Sequence, residues 1–339
     1  MDSLTQFLLG AGVSTAFLGP KLGWRAAVLG GVVATLPDLD SLVPYDSIVD
    51  GVTHHRGFTH SLIVQTALSP VIAAGVTRWF QRYDLSFRWV LLTIWLVFIT
   101  HSLLDSLTTY GTQLFWPLEV GPPIAIPSVF IIDPLYSVLL LIGIVGFLLL
   151  SRGSIRRARV FLLMFLGLAT FYLGIGFSAH MHLKAKARAL PELQGMRIHV
   201  KPMPFTLLYW QVLAVNEETY LVGATRAFSR CPHLALQRFE RRAHVSDLLS
   251  SVPSDIKRFE WFTDGFYTYK QTAEGLVISD LRIGHPPDFP FSFRFAAADK
   301  DQLVLHPAQR TRRVARDFSY LQKLYRRAQT PAPACLQAP

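Results

Sequence analysis

The chain is short of cysteine and of charge. Its two cysteines, Cys231 and Cys335, allow at most one disulfide and lack the CxxC or Cys/His spacing of a structural zinc site. Only 17% of the 339 residues are charged while 51% are hydrophobic, too apolar a balance for an ordinary water-soluble chain, and disorder, collagen and coiled coil are excluded with it. The scarcity is uneven. Residues 1–183 hold 10 of the 33 Lys/Arg and 9 of the 23 Asp/Glu, which leaves 23 and 14 for 184–339. A nearly neutral apolar half therefore precedes a basic polar half. The acidic Met1-Asp2 start has no basic n-region, so the first apolar segment does not read as a signal peptide.

What is present in the first half is long uncharged runs. Val160–Ala179 has no charge over a length that crosses about 30 Å of hydrocarbon. Pro134–Leu150 is equally uncharged, and Gly57–Thr77 and Trp89–Leu104 are apolar apart from one histidine each. Two shorter runs rich in Gly and Ala, Leu4–Gly19 and Ala26–Pro37, read either as further spans or as helices packed inside the bundle. The expected fold is an α-helical membrane bundle of four to six spans over 1–183. A small α+β domain with an antiparallel sheet follows over 184–308, then an Arg-rich segment and flexible tail over 309–339. Strands are expected at Leu207–Val215, Tyr220–Phe228, Phe266–Lys270, Gly275–Leu281 and Phe291–Ala296, and a helix at Val245–Phe262.

Orientation follows from the positive charges. If six segments cross, one side receives Lys21, Arg25, Arg78, Arg82, Arg88, Arg152, Arg156, Arg157 and Arg159, and the other keeps only Arg56 with eight of the nine acids. The first side is expected to face the cytoplasm, which places the C-terminal domain outside.

The polar residues of the apolar half fall at that outward end. Asp38 and Asp40 close the second segment, His54, His55, Arg56 and His60 open the third, and His101 and Asp105 lie a helical turn apart at the end of the fourth. Asp133 opens the fifth. An ionisable residue in hydrocarbon costs roughly 2.5–3.5 kcal/mol, so a convergence of this kind points to function. Imidazole and carboxylate together suit a divalent metal, zinc above all, or manganese or iron where oxygen ligands dominate. Arg56 is the candidate anion clamp, its structural alternative being an ion pair with Asp38, Asp40 or Asp50. A serine nucleophile at Ser61 or Ser102 is a weaker alternative, because each only follows a histidine directly.

These motifs resemble a known family. MDSLTQFLLGA, LPDLD at Leu36–Asp40, HRGFTHS at His55–Ser61, HSLLDSLTTYGTQLFWP at His101–Pro117, IIDPLY at Ile131–Tyr136 and SDLRIG at Ser279–Gly284 are similar to the YdjM family of bacterial inner-membrane metal-dependent hydrolases. The resemblance implies metal ligation by Asp2, Asp38, Asp40, His55, His60, His101 and Asp105; the catalytic candidates are Asp38 and, as the one outward-facing cation, Arg56. The family usually opens MDxxTH; here the histidine position is Gln6, a poor ligand. The implied activity is hydrolysis of a phosphoester of a lipid or lipid-linked substrate at the outer face of the bacterial inner membrane. A transporter or scaffold with a cation site is the alternative, disfavoured because transporters place such residues near the bilayer midplane. Nucleic acid is not an expected partner: the basic C-terminal half suits anionic head groups.

Overall fold

A computed structural model describes residues 1–118, 120–228, 234–244, 253–273, 275–299, 302–311 and 319–329. Cys231, Cys335, Glu119, the first part of the expected helix Val245–Phe262, and Arg312, Arg313 and Arg316 lie outside the described residues. Two compact units emerge, Met1–Val43 with His55–Phe177, and Pro44–His54 with Ser178–Pro339. In chain order the first seven helices are α1 (Ser3–Leu22), α2 (Trp24–Thr35), α3 (Ile48–His54), α4 (Leu62–Trp79), α5 (Phe87–Ser106), α6 (Pro134–Leu150) and α7 (Ile155–Ala189).

In the first unit α1 is an interior helix. Asp2 caps its start by accepting from Thr5 N at 3.0 Å, and Leu8, Ala11, Ala16 and Leu18 are buried along it. Its glycines explain the close fit to α2: a Cβ on Gly30 would stand 2.1 Å from the Gly10 carbonyl oxygen, so only glycine lets the two backbones touch. Phe98, Ile94 and Val90 of α5 pack with Leu18, Leu22 and Val33, while Tyr136, Leu140 and Phe147 of α6 pack with Leu8 and Ala16. Among the described residues two helices, α5 and α7, are long and apolar enough to cross a membrane, or three if Ile48–His60 and Leu62–Trp79 act as one broken span. The run read from Gly57 is not helical at its start: a 3-10 turn, Phe58–His60, precedes α4, and Ser61 caps that helix.

The second unit carries two four-stranded antiparallel sheets where one was expected. The first, β1 (Arg197–Pro202), β2 (Tyr209–Val215), β3 (Thr219–Arg226) and β4 (Gln237–Glu240), is ordered as in the chain. Asn216 closes the β2–β3 hairpin, its Oδ1 accepting from Thr219 N at 2.7 Å. Helix α8 (Ser254–Phe262) follows, then β5 (Tyr267–Thr272), β6 (Gly275–Asp280), β7 (Ser292–Asp299) and β8 (Gln302–Arg310) as the second sheet. The apolar stripe Ile256, Phe259 and Phe262 of α8 is buried, with Phe259 edge-on to Phe293 at 5.3 Å. Within 309–339 the chain forms a helix, α9 (Ser319–Gln329), whose Leu324 and Ala328 pack with Val222 and Ala224. The SDLRIG stretch holds a buried ion pair: Arg282 Nη2 donates to Asp280 Oδ2 at 2.8 Å. Beside it the buried Lys201 donates to the carbonyls of Arg282 at 2.5 Å and Gly284 at 2.7 Å.

Candidate metal centre

Three pieces of the first unit build the site. Asp38 and Asp40 stand on the 3-10 turn Pro37–Leu42 that follows α2, His60 ends the turn before α4, and His101 and Asp105 share one face of the last turns of α5. Asp38, His60, His101 and Asp105 each offer one ligand atom, and these four atoms lie within 4.8 Å of one another. His60 Nε2 is 3.0 Å from His101 Nε2. Asp105 Oδ2 is 3.3 Å from the first nitrogen and 3.6 Å from the second, and Asp38 Oδ1 is 3.4 and 3.7 Å from them. Ligand atoms about 2.0–2.2 Å from an ion at the corners of a tetrahedron stand about 3.3–3.6 Å apart, and these five separations, 3.0–3.7 Å, bracket that size.

The protonation pattern supports the fit. Thr59 Oγ1 donates to Asp40 Oδ2 at 2.8 Å and stands 2.9 Å from His60 Nδ1. With its proton committed to the carboxylate, the hydroxyl oxygen accepts from His60 Nδ1–H, which leaves a lone pair on Nε2 facing the other three ligands. Burial pushes the Asp40 carboxyl up, but the hydrogen bonds from His55 and Thr59 and the neighbouring imidazoles outweigh it and hold Asp40 below the usual carboxylate range. Asp105 Oδ2 is buried with no partner in hydrogen-bond geometry among the described residues, an acceptor with capacity for a cation.

Asp40 and His55 are bonded to each other rather than to the cluster. His55 Nδ1 lies 2.7 Å from Asp40 Oδ1, and Asp40 Oδ2 also accepts from Arg56 N at 3.1 Å. Asp2 is the cap of α1 and Asp133 the cap of α6, where it also accepts from Tyr172 Oη at 2.8 Å. Four of the seven expected ligands are thus brought together. His54 belongs to the second unit, with Nδ1 3.0 Å from the Asp50 carbonyl and its ring stacked on Tyr45. Ser61 Oγ donates to the Trp116 carbonyl at 2.5 Å and Ser102 Oγ accepts from Gln65, so both hydroxyls have structural partners.

Arg56 is buried, and its ion-pair partner is Asp105, Nε to Oδ2 at 3.3 Å, instead of the three acids named from sequence. Its Nη1 donates to Thr108 Oγ1 at 3.0 Å and the guanidinium lies over the Tyr110 ring at 5.0 Å. The residue sits at φ 63°, a left-handed conformation tolerated at functional turns. Gln6 is more than the missing ligand its sequence position suggests. It donates from Nε2 to Asp105 Oδ1 at 3.0 Å and to the His101 carbonyl at 3.2 Å, and the Met1 amino group contacts the same Oδ1. Donors therefore occupy Oδ1 and turn Oδ2 to the histidines. Thr59 and Gln6 escaped the sequence reading as working residues; the position of Thr59 inside HRGFTHS was the available signal.

Residues 1–183, which contain all four clustered ligands, match the YdjM inner membrane protein family. The chain belongs to that family. Inner membrane protein YbcI of Escherichia coli (strain K12) is 37% identical over 109 residues, 32% of this chain and 59% of the E. coli protein. The chain thus spans less than two thirds of that relative. Uncharacterized protein YfhP of Bacillus subtilis (strain 168) is 24% identical over 309 residues, 86% of this chain and 89% of its own length. No solved structure matches.

Proposed function

We propose that this YdjM-family protein is a membrane-bound, metal-dependent hydrolase that cleaves a phosphoester of a lipid or lipid-linked molecule at the outer face of the inner membrane. The observation that carries the proposal is the compact four-donor cluster at the ends of apolar helices. Held there by Asp38, His60, His101 and Asp105, a divalent ion, zinc foremost, would polarise a phosphoryl oxygen and acidify water only by taking that oxygen as a further ligand, beside Asp38 at the one exposed corner.

The chain's own residues have separable tasks. Thr59 and Asp40 fix the His60 ring; Gln6 and Arg56 hold the two oxygens of Asp105, and the Arg56 charge offsets that carboxylate. Of the four ligands only the Asp38 side chain reaches the surface, at 21% exposure, so the substrate enters on its side. There its second oxygen can take a proton from an incoming water. In this proposal four to six helices cross the bilayer, 1–183 is the catalytic membrane domain, and the basic half, 184–339, lies outside against anionic head groups.

The test is turnover. Detergent-purified protein loaded with zinc and offered phospholipid, p-nitrophenyl phosphate and phosphocholine is expected to hydrolyse at least one, with loss on chelation and in His101→Ala. Full metal loading without turnover of any phosphoester would reject the hydrolase.

A further inference from the structure

The turns that carry the site invert the pattern of a water-exposed loop. On Pro37–Leu42 the acids turn inward while Leu39 is 52% exposed and Leu42 77%. Phe58, two residues before the ligand His60, is 55% exposed, and Leu118 is 59%. This rim is built rather than loose: Phe58 packs edge-on against Trp116 at 5.2 Å, Gln113 N donates to the Arg56 carbonyl, and Leu62 N donates to the Leu114 carbonyl.

Charge says what covers it. Between Arg25 and Arg78, and again between Arg88 and Arg152, the one Lys or Arg is Arg56, which is buried. The turns of the rim therefore offer no exposed cation of their own to anionic head groups, and their seating rests on apolar area. Leu103 near the end of α5 and Leu135 at the start of α6 are exposed apolar side chains as well. A tryptophan at this level suits the interfacial belt of a bilayer.

We propose that the rim formed by Leu39, Leu42, Phe58 and Leu118 seats in the headgroup–acyl boundary of the bilayer. A lipid then reaches the Asp38 side of the cluster laterally, with its acyl chains still in the membrane. This deepens the hydrolase reading and rests on it for the identity of the ligand as substrate. It names as substrate a bilayer lipid rather than a water-borne phosphoester.

The experiment uses the full chain with Cys231 and Cys335 replaced by serine, reconstituted in phosphatidylcholine nanodiscs. Single cysteines at Leu42, Phe58 and Leu118 are labelled with an environment-sensitive fluorophore. Blue-shifted emission, quenching by shallow nitroxide lipids and protection from iodide are the expected result. Water-like emission, quenched by iodide and untouched by nitroxide lipids at all three positions, would overturn the proposal. A second arm compares substrates in Leu42→Asn/Phe58→Ser. Turnover of bilayer phospholipid is expected to fall on the order of tenfold, from the apolar area withdrawn, with metal content and p-nitrophenyl phosphate turnover kept. An equal fall on both substrates at unchanged metal content would also overturn it. The fluorescence arm needs no turnover, so a rim that inserts in a protein that hydrolyses nothing would sink the hydrolase reading and leave this one standing.

Discussion

A threonine hydroxyl sets which nitrogen of His60 faces the cluster. Thr59 Oγ1 bridges Asp40 and His60 Nδ1, so Thr59→Val removes that orientation while deleting no ligand. Metal affinity, measured by chelator competition, should fall roughly 10–100-fold, the usual effect of losing a partner behind a ligand. Thr59→Ser should restore most of it. A valine variant that binds metal as the native chain does would show that the ring is held by packing alone. At this scale the sequence put Asp38, His60, His101 and Asp105 among its candidates but did not separate them from Asp2, Asp40 and His55. His55 and Asp40 have the same chemistry as His60 and Asp38, and spacing does not say that they spend their lone pairs and protons on each other. Gln6 was legible as a non-ligand; its use as a donor to Asp105 depends on the depth at which α1 packs.

The interior position of α1 rests on glycine. A methyl on Gly30 would meet the Gly10 carbonyl and Ser14, so Gly30→Ala must push α1 from α2. A loss of about 1–3 kcal/mol is expected from overpacking. Gly75→Ala, inside α4 where a Cβ meets nothing within 4 Å, is the control and should hold or slightly raise Tm, alanine being the better helix former. Equal melting temperatures for the two variants would refute the close contact.

Helix existence was readable because uncharged runs are long. The strands that escaped were those whose sequences argue against them. β1 (RIHVKP) buries His199 and Lys201, β4 (QRFE) is short and polar, and β8 (QLVLHPAQR) contains a proline. Helix α9 hid in an Arg-rich tail although Tyr320, Leu321, Leu324, Tyr325 and Ala328 make one helical stripe.

For the molecule as a whole, stability and topology give separate checks. Burial lowers the Lys201 amine to about 8 from its ordinary 10.5. Above pH 8 the folded chain releases this proton before the unfolded chain does, so the unfolded state binds more protons. Lys201 therefore adds stability as pH rises from 8 towards 10 and contributes no pH dependence below 8. Denaturation of the native chain and Lys201→Met across that window should show a rise in the first that is absent in the second. Parallel curves would contradict the assignment. The charge asymmetry predicts that alkaline phosphatase fused after residue 190 is active and a green fluorescent fusion there is dark. The reverse pattern would place the second unit in the cytoplasm.

The central claim is that Asp38, His60, His101 and Asp105 hold an ion and that His55 does not. Metal content per chain of the detergent-purified native protein, His101→Ala and His55→Ala tests it most directly. The expected values are about one ion for the native chain, none for His101→Ala, and an ion kept with weaker affinity in His55→Ala. An ion lost from His55→Ala and retained in His101→Ala would contradict the site.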